Sequence, residues 1–122
     1  MNVQEVRDYA LSLPGVTEDQ PFGLDNVVFR IEGKIFLCLA LEVSPLGSHD
    51  AKPHFACKLP PDRNVELRER YAAVSPAWHW NKKHWSDVCY QELDDARVKD
   101  WIGESYALVV SQLPKLLKQK YM

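Results

Sequence analysis

The chain opens on an apolar stripe at helical spacing. Val3, Val6, Ala10 and Leu13 fall on one face between polar neighbours, the period of an amphipathic helix. Asn2 is placed to cap it, with Glu5 three residues later to complete a capping box, and Pro14-Gly15 ends it. Residues 16–25, which include Pro21 and Gly23, read as a loop or a short irregular strand. The period then changes to two. Over Asn26–Ile31, Val27, Phe29 and Ile31 share one face and Val28 and Arg30 the other; Glu32-Gly33 turns the chain, and an apolar run follows over Lys34–Val43. The turn before that run, and its β-favouring residues, predict a central strand covered on both faces.

Ser44–Pro53 reads as a loop, with His49 exposed to solvent, and His54–Leu59 as a third strand. Pro60-Pro61-Asp62 breaks the chain before a short helix. Val65, Leu67 and Tyr71 form its apolar side, and Arg63, Glu66, Arg68, Glu69 and Arg70 its polar side. Ala72–Ser75 is a fourth strand, and His84–Gln91 a fifth, through Trp85, Val88 and Tyr90. Asp94 or Asp95 caps a long helix whose Val98, Trp101, Ile102, Val109, Val110 and Leu113 recur at helical spacing. Pro114 bends or ends it, and the lysine-rich tail frays. The order α-β-β-β-α-β-β-α is an α+β arrangement, an antiparallel sheet flanked by helices, in one domain spanning 1–122.

Composition narrows the class. A chain of 122 residues, 46% hydrophobic and 26% charged, can bury one core without disulfides or metals. No apolar run approaches the ~20 residues that span a bilayer, and the first residues lack a signal peptide's basic start and apolar core, so the expected location is the cytoplasm. Cys38, Cys57 and Cys89 form no C-x-x-C pair and sit in apolar, strand-like runs, so they read as buried free thiols. The formal net charge of −2 weighs against strong non-specific nucleic-acid binding, which draws on phosphate neutralisation.

One stretch concentrates the candidate chemistry. Residues 76–85 hold three of the four tryptophans, two of the four histidines and a lysine pair. Lys82 and Lys83 suit phosphates, Asn81 a base edge or its own turn, and Trp78 and Trp80 base stacking, with His79 and His84 between them. The bland alternative makes Trp80 and Trp85 core residues and Lys82-Lys83 a solvated turn. In that reading a histidine, His84, donates to a backbone carbonyl and locks the loop. A protein-interaction surface, for a second copy or a partner peptide, would use the same exposed aromatics. A spacing of five from His79 to His84, across a loop-to-strand junction, does not make a metal site. Glycine-rich phosphate loops and a G-x-S-x-G are absent, so no cofactor and no catalytic residue is expected.

The run His79-x-Asn81-Lys82-x-His84-Trp85, following Pro76, resembles the signature of the MmcQ/YjbR family, small bacterial proteins labelled DNA-binding. Leu13-Pro14-Gly15, the turn at Glu32-Gly33-Lys34, Ser105-Tyr106 and Leu113-Pro114 extend the resemblance over nearly the whole chain. Trp78 stands where a tyrosine is common and Trp80 where a leucine or methionine is common, which enlarges the aromatic surface. The resemblance implies an antiparallel sheet flanked by helices, of the type shared with type III secretion chaperones. It also implies a double-wing mode of DNA contact, with the hairpin at Gly33 and the loop 78–84 as wings.

Overall fold

The first helix forms as its pattern demands. In the computed structural model, which describes residues 1–41 and 52–121, α1 spans Val3–Ser12, and both hydrogen bonds of the Asn2–Glu5 capping box are present. The segment after it is a true strand, β1 (Val16–Asp19), paired antiparallel with β2 (Asn26–Ile31). Two ion pairs fix it there, Arg7 with Glu18 and Arg30 with Asp19. Sequence spacing carries no sign of these, because the partners lie eleven residues apart.

β2 and β3 (Lys34–Ala40) make the expected hairpin. Glu32 and Gly33 both have positive φ, 50° and 80°, as a two-residue type I′ turn requires. Glu32 is an unusual occupant of that position, and the Tyr121 hydroxyl donates to its carboxylate at 2.7 Å. That bond holds the Glu32 carboxyl below its ordinary range and pushes Tyr121 up to about 12. The loop expected over Ser44–Pro53, His49 included, lies outside the described residues up to residue 51.

β4 (Phe55–Lys58), α2 (Pro61–Arg70), β5 (Val74–Pro76) and β6 (Trp85–Val88) follow. β6 is shorter than expected, because Cys89 donates back to Ala73 and a single 3-10 turn then takes Tyr90–Glu92. α3 runs Asp95–Ser111. Its cap position is Asp94, whose carboxylate pairs with Arg97. After Pro114 the tail forms one short helix, α4 (Lys115–Lys118), instead of fraying. No described helix is long and apolar enough to cross a membrane.

The sheet is six-stranded and antiparallel, in the order β1-β2-β3-β4-β6-β5. One face carries the main core: Phe29, Ile31, Leu37, Leu39, Phe55 and Val88 pack with Val6, Ala10, Leu67, Val98, Trp101 and Ile102 of the helices. The other face carries a smaller cluster of Val28, Cys38, Ala56, Ala77 and Trp85.

A bulge ties helix to sheet. The β2–β3 register shifts between Phe29 and Arg30, so both Phe36 and Leu37 reach the helical core. Ser105 of α3, fully buried, serves the strands at this point. Its hydroxyl donates to the Phe36 carbonyl at 2.5 Å and accepts from the Lys58 amide at 2.9 Å. The neighbouring Tyr106 donates to the Pro14 carbonyl at 2.6 Å, pinning the end of α1. Ser105→Ala therefore strands two backbone groups and should cost ~2–4 kcal/mol. Urea denaturation checks this, and an unchanged midpoint would show that the bulge finds other partners.

Candidate functional site on the open face of the sheet

Strand parity builds the floor. Pairing aligns Asp19, Val28, Cys38, Ala56, Asp87 and Ser75 in one row across all six strands. On the helical face the neighbouring positions are large, Leu37, Leu39 and Phe55. On the open face Cys38, Ala40 and Ala56 are small, and the sheet is shallow there.

The β5–β6 connection covers this face. Ala77 donates to Trp85 as a last rung at 3.2 Å, and the loop then brings Trp80 back onto Trp85. The Trp78 amide donates to Asp87 Oδ2 at 3.1 Å. The Trp80 indole stacks on Trp85, with centroids 4.4 Å apart and planes 25° from parallel. Phe22, from the β1–β2 connection, meets Trp80 edge-on at 6.0 Å. Asn81 closes the tip as a side-chain turn, its Oδ1 accepting from the Lys83 amide at 2.9 Å.

Two α2 side chains hold the tip down. Arg68 donates to the carbonyls of Lys82 (2.5 Å) and Trp85 (2.8 Å) and to the Ser86 hydroxyl (3.1 Å). Asn64, fully buried, donates to the carbonyls of Leu59 (3.0 Å) and Lys83 (3.1 Å) and accepts from Ser86 at 2.7 Å. The lock is therefore α2, not the His84 ring. His84 contributes its carbonyl, which accepts from Leu59 at 2.9 Å. Burial pushes the Arg68 guanidinium down, against the pull of Asp87.

Between the loop and the sheet lies a cavity of about 350 Å³ lined by Phe22, Asn26, Cys38, Ala40, His54, Ala56, His79, Trp80 and Asp87. Of the residues singled out from sequence, His79 and Trp80 line it. Trp78 sits at the rim, 59% exposed, with the Lys82 ammonium 5.8 Å from its ring. Asn81, Lys82 and Lys83 form the exposed tip, and His84 is half-buried. The stretch is thus brought together as a rim and one wall. The floor was missed: its signal was the alternation of small outward residues, Cys38 and Ala40, with large inward ones, Leu37 and Leu39. Asp87 and His54 carry no local signal, since only the pairing of β4 with β6 brings them near the loop.

The floor is poor in reactive groups. Burial, reinforced by Asp87, pushes the Cys38 thiol up to about 11. Burial also raises Cys57 and Cys89. All three are therefore neutral thiols at physiological pH, and the thiolate is the nucleophile. His54, which is buried, places Nδ1 2.8 Å from the Lys52 carbonyl. A carbonyl only accepts, so Nδ1 carries a proton. Among the described residues no three His, Cys, Asp or Glu side chains are grouped to hold a metal ion.

A six-stranded antiparallel sheet with its helices on one face and an aromatic loop folded over the other defines the class of domain. The chain matches the YjbR family over residues 11–108, and it belongs to that family. It is 36% identical over 107 residues to the uncharacterized protein YbdF of Escherichia coli O157:H7, covering 87% of this chain and 82% of that one. Among solved structures, the DUF419 domain protein DR2400 of Deinococcus radiodurans has a similar fold, with a TM-score of 0.82 at 23% identity, over 98% of this chain and 87% of that one. A protein from Pseudomonas syringae matches with a TM-score of 0.74 at 27% identity, over 88% and 98%.

Two measurements test the site's construction. Trp85 is only 8% exposed and carries the Trp80 stack, so Trp85→Ala should destabilise the fold by ~3–5 kcal/mol in chemical denaturation. A variant as stable as the parent would contradict that packing. A thiol reagent at pH 8 should modify Cys89, the half-buried cysteine, first, and Cys57, fully buried, only on unfolding. Rapid labelling of Cys57 in the native protein would contradict its burial.

Proposed function

We propose that this protein binds nucleic acid, DNA in the first place, through the loop 76–85. The supporting observation is a fixed cation–aromatic rim. Trp78 offers an exposed indole with the Lys82 ammonium over it, Lys83 is exposed beside them, and no acidic residue occurs between Ala72 and Ser86. An indole stacks on any base and ammonium groups neutralise phosphates, so such a rim tracks a strand with little sequence preference. The α2 clamp presents these groups in one geometry, which lowers the ordering cost of binding. Trp80 has a different part in this reading. One of its faces is taken by Trp85, so it is a wall and not a stacking platform.

A second reading, a protein-interaction surface, is favoured by the exposure of Phe22 (60%), Leu24 (82%) and Trp78 (59%) around the same loop, residue types suited to an interface. A partner would sit on the face. The sheet edges are ill suited to strand addition, since β5 is three residues ending in Pro76 and β1 carries Glu18 and Asp19 in ion pairs.

Salt separates the two readings. In fluorescence anisotropy with labelled single- and double-stranded DNA, affinity should fall steeply as salt rises. The double variant Lys82→Ala, Lys83→Ala should bind every sequence more weakly and flatten the salt slope by about one to two. Unchanged affinity in that variant, or no binding at low salt, would overturn the nucleic-acid reading and favour the salt-insensitive protein surface.

A further inference from the structure

We infer that the end of the sheet holding the β2–β3 turn and the loop tip is a second part of the nucleic-acid surface, one that takes the phosphodiester backbone through Lys34 and Lys58. The inference deepens the nucleic-acid reading and rests on it for the class of partner.

Strand register gathers the cations. Lys34 opens β3 opposite Ile31, beside the turn, and Lys58 closes β4 opposite Trp85. The next rung, Leu59 to the His84 carbonyl at 2.9 Å, sets the end of β4 against the loop tip, and Asn64 binds the Leu59 and Lys83 carbonyls together. The end of α3 arrives at the same place, where the Lys58 ammonium lies 3.2 Å from Gln112 Oε1. From Gln112 the tail runs back to Glu32, which Lys120 and Tyr121 both reach, so α4 carries Lys115 and Lys118 across this end. Seven of the nine lysines thus stand at one end of the sheet. The other two lie elsewhere, Lys52 paired with Glu92 and Lys99 over the ring of Tyr9.

Acids are scarce there. Glu32 is engaged by Lys120 and Tyr121, so the tip of the turn itself carries a carboxylate and lies outside the surface. Asp62, exposed in the first turn of α2, is the other acid near this end; Glu66 and Glu104 are paired with Arg63. Lys34 and Lys58 share a hollow of about 220 Å³ with Ile35, Val109 and Gln112, none of them acidic. Its apolar walls exclude water beside the ammonium groups, which strengthens their pull on an anion. The hollow is smaller than the ~300–1,000 Å³ of ligand pockets, so it suits one group of a longer chain better than a whole small ligand. Strand spacings of ~4.8 Å put Lys34, on β3, about 10 Å from Lys83, on the far side of β4. Along one strand of a duplex a phosphate recurs every ~3.4 Å of axis, so the span matches about three phosphates. A small anion gains one or two exposed contacts, whereas a polyanion releases counterions at each of them.

The test is fluorescence anisotropy of the full chain with labelled single- and double-stranded oligonucleotides across a salt series. The double variant Lys34→Gln, Lys58→Gln should weaken binding to every sequence and lower the slope of log affinity against log salt by about 1.5 to 2. Lys52→Gln with Lys99→Gln makes the same change in charge away from this end and should leave the slope as it was. Asp62→Asn should tighten binding at least about twofold at low salt, a gain that damage to the fold would not produce. An unchanged slope in the Lys34, Lys58 variant, while Lys82→Ala, Lys83→Ala still weakens binding, would overturn the inference and leave the loop reading standing. An equal loss in the Lys52, Lys99 variant would also overturn it, as an effect of net charge alone. Loss in the Lys34, Lys58 variant without loss in the Lys82, Lys83 variant would overturn the loop reading and leave the sheet end as the binding surface. Polyglutamate competing as well as an oligonucleotide of equal charge would overturn nucleic acid as the partner, and no binding at low salt would overturn both readings.

Discussion

A sheet has two faces to bury, and this chain has helices for one. That constraint sets the rest of the structure. α1, α2 and α3 cover the face built from Phe29, Leu37, Leu39 and Phe55. The opposite face carries Val28, Cys38, Ala56 and Trp85, too apolar to leave open to water. An aromatic loop is the economical cover. Trp80 on Trp85 supplies much of the contact, and the remaining gap, over the small residues, becomes the cavity.

A covering loop brings backbone groups that need partners, and a loop over an apolar face has few within reach. The solution comes from the neighbouring helix. Arg68 and Asn64 bind loop carbonyls and join through the Ser86 hydroxyl into one network. The guanidinium suits this task because its fork of donors serves two carbonyls and a hydroxyl at once, which an ammonium cannot do in a fixed plane. The polar side of α2 therefore has two duties. Arg63 forms ion pairs with Glu66 and Glu104, while Arg68 faces inward and fixes the site.

Local patterns carried most of the fold. The α1 capping box, the β2–β3 hairpin and the helical stripe of α3 were legible because each is written within a few neighbouring residues. β1 was ambiguous because what fixes it is pairing with β2 and ion pairs to distant arginines. The generic-looking pairs Leu13-Pro14 and Ser105-Tyr106 gain their meaning only in three dimensions, where Tyr106 reaches the Pro14 carbonyl and Ser105 the bulge. At the site, the sequence marked the rim, Trp78 to Lys83, since cations and aromatics crowd one segment. The floor comes from four strands whose register no local signal specifies. Composition pointed to His84 as the lock, but the lock sits on α2, sixteen and twenty residues upstream, at Arg68 and Asn64.

The charge and the aromatic enlargement meet at the same place. A net charge of −2 describes the whole surface, but a phosphate senses charges within about one screening length, ~10 Å at 0.1 M salt. Many of the chain's acidic groups are already matched, Glu18 by Arg7, Asp19 by Arg30, Glu104 by Arg63 and Asp94 by Arg97. Lys82 and Lys83 take part in no ion pair among the described residues, so two cations stand at the rim although the total charge is negative. The two tryptophans of the loop divide along the same line. Trp78 enlarges the exposed rim under the Lys82 ammonium. Trp80 turns inward, bridging Trp85 and Phe22, where a leucine would leave the wall low. Trp78 at the rim and Trp80 on the wall therefore extend the entrance of the slot and its side together.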